Sequence, residues 1–286
     1  MANIRLIRRR IRGVQSIAKI TRAMEMIATS KMRRAQDAGV AGRPYDEKIR
    51  QVISDLAALP QSGGAPHPLL QRRPVKKIAV VHITSDRGLC GGLNSNINRK
   101  TASFILEQQV PVTLVTVGRK GSEFMRRVGR DVLAEFTRLG DRPSLLDTLP
   151  ISRIVIDDYT SGLLDMVYLS YARFVTTMTQ TPVIEQLLPV QPAEMPAMQN
   201  VEYIYEPSPE AVLGELLPRF VEMEVYHAIL ESIASEQSAR MVAMRNATES
   251  ANELIGDLTL LYNKARQESI TTELLDITGG AAALKQ

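Results

Sequence analysis

The sequence has one cysteine, Cys90, and no tryptophan in 286 residues. A single thiol excludes an internal disulfide and a cysteine metal cluster, and it fits a reducing, cytoplasmic setting. His67, His82 and His227 are scattered without ligand spacing, so no metal or cofactor is expected. There is no G-x-S-x-G, and Cys90 has no evident histidine partner. Asp157 and Asp158 are adjacent, so on a helix they point apart and make a poor acid–base pair. No apolar run reaches the ~20 residues of a membrane span, and the charged N-terminus leaves no apolar signal region. Catalysis on this chain, secretion and direct membrane insertion are therefore not expected.

Helix breakers are also scarce near the C-terminus. After Pro218 there is no proline, and before Gly279-Gly280 the only glycine is Gly256. Phe220, Met223, Ile229 and Ile233 recur at helical spacing, as do Leu254, Leu258 and Leu261, then Ile270, Leu274 and Ile277. The pattern predicts a helix from about Ser208 to about Leu284, on the order of 110 Å long at 1.5 Å per residue. One ordinary domain cannot cover such a helix, so it needs a companion. The N-terminus offers one. Ile4, Ile7, Ile11, Val14, Ile17, Ile20, Met24 and Ile27 form a stripe with a mean step near 3.3 residues. A repeat below 3.6 favours a left-handed supercoil. Gly39, Gly42 and Pro44 predict a bend or break before helical spacing resumes at Ile49, Val52, Ile53 and Leu56.

The two ends are electrically complementary. Residues 1–50 hold 13 Lys and Arg against 4 Asp and Glu, whereas residues 210–286 hold 6 against 12. Arg8-Arg9-Arg10 and Arg33-Arg34 lack interleaved aromatics, so an acid-facing coil is favoured over a nucleic-acid surface. The simplest arrangement is an α/β domain inserted between two long terminal helices that form an antiparallel left-handed coiled coil. Two helices share only one thin seam, so other protein is expected to surround them.

The expected divisions are an N-terminal coiled-coil helix over 1–59, a linker over 60–74, an α/β domain over 75–206 and a C-terminal coiled-coil helix over 207–286. Strands are predicted over 77–84, 112–117, 132–136 and 165–174, with edge strands over 183–188 and 201–205. Helices are expected over 94–109, within 118–128 and over 145–159. After the first strand comes Ser85-Asp-Arg-Gly-Leu-Cys-Gly-Gly-Leu-Asn94. Gly88, Gly91 and Gly92 match neither G-x-G-x-x-G nor the P-loop. Three readings stay open on these residues: a tight turn, a phosphate site, and a surface contact made by Asp86, Arg87 and an exposed Cys90.

Four stretches together carry a resemblance: Ile17-Ala-Lys-Ile-Thr-Arg-Ala-Met-Glu-Met-Ile-Ala-Thr-Ser-Lys-Met32, the 84–94 turn, Ser235-Glu-Gln-Ser-Ala-Arg-Met-Val-Ala-Met-Arg-Asn-Ala-Thr248 and Tyr262-Asn-Lys-Ala-Arg-Gln-Glu-Ser-Ile-Thr-Thr-Glu-Leu274. The chain resembles the γ-subunit family of F-type ATP synthases over nearly its whole length. The resemblance implies a rotor shaft inside a hexamer of three α and three β subunits, one copy per complex. It further implies contact with the ε subunit and the membrane rotor ring, with catalysis on β. It implies a peripheral position on the cytoplasmic side of a bacterial inner membrane, with no nucleic-acid partner. By position, Met24 matches a methionine facing β. Arg240, Gln267, Thr271 and Glu273 match coupling positions, and Arg8 and Arg9 lie near a β loop. Asp86, Arg87 and Cys90 match the turn approaching β, and Tyr205 and Glu206 match the foot on the ring. On the residues alone, an enzyme using the glycine turn for nucleotide and a coiled-coil scaffold for nucleic acid remain as alternatives.

Overall fold

The computed structural model describes residues 4–58, 67–191 and 205–283. Residues 60–66 of the expected linker and strand residues 201–204 lie outside the described residues. Two helices dominate, α1 (Ile4–Ala58) and α5 (Pro209–Ala283). Between them lie β1 (Ile78–Ile83), α2 (Leu93–Glu107), β2 (Val112–Val117), α3 (Arg119–Arg127), β3 (Val132–Phe136), α4 (Leu145–Thr160), β4 (Met166–Phe174) and β5 (Gln180–Leu188). The chain forms two compact units, residues 29–240 and residues 1–28 with 241–286.

In the 29–240 unit the strand order is β3-β2-β1-β4-β5. β1, β2, β3 and β4 pair in parallel, and β5 closes the edge antiparallel to β4. β1 is buried along its whole length, as a strand covered on both faces must be, which is why it reads as a near-continuous apolar run. Ile78, Val80 and Leu114 pack against Ile105 of α2 and Met125 of α3. On the opposite face Ala79, Val81, Ile83 and Val115 join Ile151, Val155 and Tyr159 of α4. The same cluster takes in Ile49, Ile53 and Leu56 of α1 and Leu213, Leu217, Val221 and Val225 of α5. Both long helices thus contribute to the core under the sheet.

The expected break at Gly39–Pro44 does not occur, because α1 runs through it with Pro44 inside the helix. Gly42 serves a different purpose, since a Cβ there would lie 2.5 Å from Cε1 of His227 on α5. The glycine permits close approach of two helices rather than ending one. Pro218 likewise sits inside a continuous α5. β5 begins three residues earlier than its apolar run indicates, at Gln180.

In the other unit, α1 and α5 form a two-helix coil. Along α1 the covered positions are Ile4, Ile7, Ile11, Val14, Ala18, Thr21, Met24, Glu25 and Ala28. Ile7, Val14, Thr21 and Ala28 are seven apart, and so are Ile11, Ala18 and Glu25. On α5, Met244, Thr248, Ala251, Ile255, Leu258, Tyr262, Ala265 and Ser269 are covered, with steps alternating four and three. A sustained seven-residue repeat is the signature of a left-handed coiled coil. Thr21 Oγ1 meets Thr248 Oγ1 at 2.6 Å, and Arg245 Nε donates to Glu25 Oε1 at 3.2 Å. One chain ascends as the other descends, so the pair is antiparallel. The seam corrects the sequence-based stripe: Ile17, Ile20 and Ile27 are about half exposed, while Ala18, Thr21 and Ala28 are buried. Small residues bring the helix axes together and leave the isoleucines facing outward.

Candidate partner-contact surface

The coil unit presents the expected contact residues in two ways. Met24 is partly covered at the seam edge, whereas Arg8, Arg9, Gln267, Thr271 and Glu273 are exposed. Glu273 accepts only a long contact from Ser269 Oγ, 3.5 Å away one turn earlier. Charge complementarity between the chain ends does not pair the Arg8–Arg10 cluster across the seam. All three arginines face solvent, and the Arg245–Glu25 pair has the opposite polarity. The N-terminal arginines are therefore presented outward along with Ile17, Ile20 and Ile27.

In the 29–240 unit the turn after β1 is fixed by its own side chains. Ser85 Oγ donates to Arg87 O at 2.6 Å, and Asn94 Nδ2 donates to Ser85 Oγ at 2.7 Å. Asp86 is only partly exposed. Its Oδ1 accepts from Arg119 N at 3.0 Å and its Oδ2 from Arg138 N at 2.9 Å. The carboxylate therefore sits at the start of α3, where orphan N–H groups and the helix dipole favour an anion. Asp86 clips three loops together, and Arg87 is exposed beside it.

Cys90 is not the exposed contact expected from sequence; it is 2% exposed. Leu89 adopts φ 64°, which turns the chain so that Leu89 points outward at 63% exposure and Cys90 inward. The thiol packs with Leu93, Ile97 and Ala172, and Asn94 Nδ2 lies 3.2 Å from Sγ. Burial pushes the Cys90 thiol up from its ordinary pKa, so it is held protonated and unreactive. The apolar side chain this turn offers a partner is Leu89. Residue type carried no signal of it, because a leucine in the left-handed region is not readable from sequence.

Arg240 is mostly buried. It pairs with Glu236 at 2.6 Å and donates to Gly88 O at 3.2 Å. Burial is the main reason the Glu236 carboxyl is raised above its usual pKa, with Arg240 opposing and Asp141 and Asp86 adding to the shift. Tyr205 is partly covered against the main core and Glu206 is exposed.

A doubly wound sheet usually binds its ligand in the crevice at the carboxyl ends of its strands. Here Ile229, Ser232, Ile233 and Glu236 of α5 line that crevice together with Thr84, Asp86, Gly118 and Arg138. About 50 Å³ remains, space for water rather than a nucleotide. Asp86 occupies the anion position at α3, and Glu236 adds a second carboxylate. Among the described residues no group of three or more His, Cys, Asp or Glu is arranged to hold a metal ion.

Comparison with known proteins bears on the whole chain. The family described as ATP synthase matches residues 3–284. The ATP synthase gamma chain of Dehalococcoides mccartyi is 71% identical over 284 residues, covering 99% of this chain and 100% of the relative. That of Herpetosiphon aurantiacus is 50% identical over 295 residues, covering both chains completely. Among solved structures, the central stalk and c-ring of the Tetrahymena thermophila mitochondrial ATP synthase contains a chain with TM-score 0.62 and 26% identity, covering 80% of this chain and 99% of that one. The OSCP/F1/c-ring part of the Euglena gracilis mitochondrial ATP synthase, in rotational state 3, gives TM-score 0.65 at 20% identity, covering 98% and 94%, a likeness of fold. With its antiparallel coil, its doubly wound sheet and full-length relatives, the chain belongs to the ATP synthase gamma chain family, the central-stalk rotor subunits of the F-type ATP synthase.

Proposed function

We propose that this chain is the rotating shaft that carries torque between a membrane rotor ring and the catalytic β subunits, and that it performs no chemistry itself. The observation that carries this reading is the outward face of the coil. Ile17, Ile20 and Ile27 of α1 and Leu254, Leu261 and Ile270 of α5 are each about half exposed. Six large apolar side chains half-exposed on one two-helix coil are what a partner-binding surface presents. A sleeve of three α and three β subunits around one copy of this chain would cover it. A single asymmetric shaft meets three β subunits in three different ways, which supplies the differential interaction that coupling requires. Met24, Gln267, Thr271 and Glu273 are assigned to those contacts, as are the outward Arg8 and Arg9. Asp86, Arg87 and Arg240 form a second contact zone, where Leu89 takes the place of the inward Cys90. Tyr205 and Glu206 are assigned to the ring, with ε beside the sheet. No helix among the described residues is long and apolar enough to cross a membrane. Attachment at the cytoplasmic side of a bacterial inner membrane would run through the ring.

A nucleotide-binding role has less support, because α5 fills the crevice and carboxylates hold its anion positions. Native mass spectrometry of the chain mixed with α and β subunits of the same source tests the choice. A particle of three α, three β and one copy of this chain is expected. A stable homodimer that ignores α and β would favour a scaffold, and saturable ATP binding by the isolated chain would favour the enzyme reading.

Met24→Lys gives a sharper test of the contact zone. The partly covered side chain lets the lysine reach solvent, so assembly is expected to persist while proton pumping per ATP hydrolysed falls several-fold. An unchanged ratio would remove Met24 from the coupling contacts.

A further inference from the structure

α5 passes the carboxyl edge of the sheet tied to two different loops at one level. Ser235 and Ser238 are fully buried. Ser235 Oγ donates to Ala172 O of β4 at 2.9 Å. Ser238 Oγ donates to Thr177 O, in the turn between β4 and β5, at 2.7 Å, and Gln180 Nε2 donates to Ser238 Oγ at 3.3 Å. Arg240 donates to Gly88 O of the β1–α2 turn at 3.2 Å. At about 100° per residue, Ser235 and Ser238 lie about 60° apart, whereas Ser238 and Arg240 lie about 160° apart, on opposite sides of the helix. The whole set spans roughly 7.5 Å of helix axis.

This arrangement does something that apolar packing does not. Contacts such as those of Ile229 and Ile233 hold the helix down but are non-directional. Hydrogen bonds are directional, and two opposed sets at one level resist rotation of the helix about its own axis. The anchors are themselves stiff. Thr176 Oγ1 accepts from Met178 N and Thr179 N inside the β4–β5 turn, and Asn94 and Ser85 brace the β1–α2 turn. Serine is also a poor choice for a buried helix interior on propensity alone, where alanine would serve better.

We propose that residues 235–240 are the anti-rotation joint of the rotor, with Ser235 and Ser238 as positioning residues that key α5 to the sheet. The proposal rests on the shaft reading above. Both serines are buried, so their role is distinct from partner contact.

The test uses the full chain assembled with its α and β subunits. The hexamer is fixed to a surface, and a bead is attached through Val128→Cys, an exposed position that leaves Cys90 buried. With the hexamer stalled by a non-hydrolysable nucleotide, the angular variance of the bead reports the torsional stiffness between sheet and hexamer. Ser235→Ala with Ser238→Ala is expected to raise that variance about twofold or more, with the ATP hydrolysis rate kept within twofold. Each single variant should give an intermediate value, and the singles decide the matter if the double variant does not assemble. Variance equal to the parent in all three overturns the joint. A parent bead that fails to turn on ATP overturns the shaft reading instead.

Discussion

Gly118→Ala is expected to destabilise the residue 29–240 unit severely. Gly118 links β2 to α3 at φ 93°, in the region that disfavours any side chain. A Cβ there would lie 2.1 Å from Thr84 O and 2.7 Å from Thr84 C. Both are backbone atoms at the end of β1, and neither can rotate away. Thr84 N donates to Val117 O at 2.8 Å and Gly118 N to Phe136 O at 2.7 Å, so relief would require moving three adjacent parallel strand ends. Strain in the backbone adds about 1–2 kcal/mol, and overpacking a well-filled interior adds about 1–3 kcal/mol or more. A total of about 2–5 kcal/mol or more is a large part of the ~5–15 kcal/mol that holds a typical domain together. Gly88→Ala is the control, since its Cβ would meet nothing within 4 Å and a shift under about 0.5 kcal/mol is expected. Urea denaturation of both variants decides it. A Gly118→Ala midpoint near that of the parent would show that the sheet end yields.

That contrast also shows where the sequence was legible. The cluster Gly88, Gly91, Gly92 draws attention because the glycines are close together, yet no added Cβ there would meet anything closer than 3.6 Å. The glycines pressed by neighbours are Gly42, Gly118 and Gly121, and their need arises from chain segments remote in sequence. The strands were readable because β1 and β2 are buried on both faces and show it in composition. The order β3-β2-β1-β4-β5 was not, because it depends on which side each crossover takes. In α1 the large isoleucines suggested a seam, but the helix has two purposeful faces. Its inner seam uses Ile7, Ile11 and Val14 near the N-terminus and then Ala18, Thr21 and Ala28, where close approach leaves Ile17, Ile20 and Ile27 outside. Asp86 was readable as a residue of interest, but not as the clip binding Arg119 and Arg138, since neither neighbour is near in sequence.

Acid should weaken the same unit through His82. Its side chain is fully buried on β1, toward α2. Nε2 lies 2.8 Å from Asn98 Oδ1, Nδ1 lies 3.1 Å from Thr101 Oγ1, and Thr101 Oγ1 lies 2.6 Å from Ser170 Oγ. A neutral ring fits this chain, with Nε2–H donating to Asn98 Oδ1 and Nδ1 facing the Thr101 hydroxyl. Burial lowers the His82 pKa from 6.5 to about 4, against the opposing pull of Asn98. Between those values the unfolded chain binds a proton that the folded chain refuses, so protonation favours unfolding. The stability tied to this group is complete above about pH 6.5, falls as pH drops toward 4 and is flat below. At 1.36 kcal/mol per pKa unit the loss is on the order of 3 kcal/mol. Titrating carboxylates change stability over the same range, so the informative quantity is the difference between the parent and His82→Gln. Glutamine stays neutral and keeps an amide donor. The variant is expected to be less stable at pH 7 through lost packing, and the gap should close by about 3 kcal/mol as pH falls from 7 to 4. A gap that stays constant across that range would mean that the buried ring accepts its proton as readily as a solvated one, which a fully enclosed imidazole between two strands and α2 does not permit.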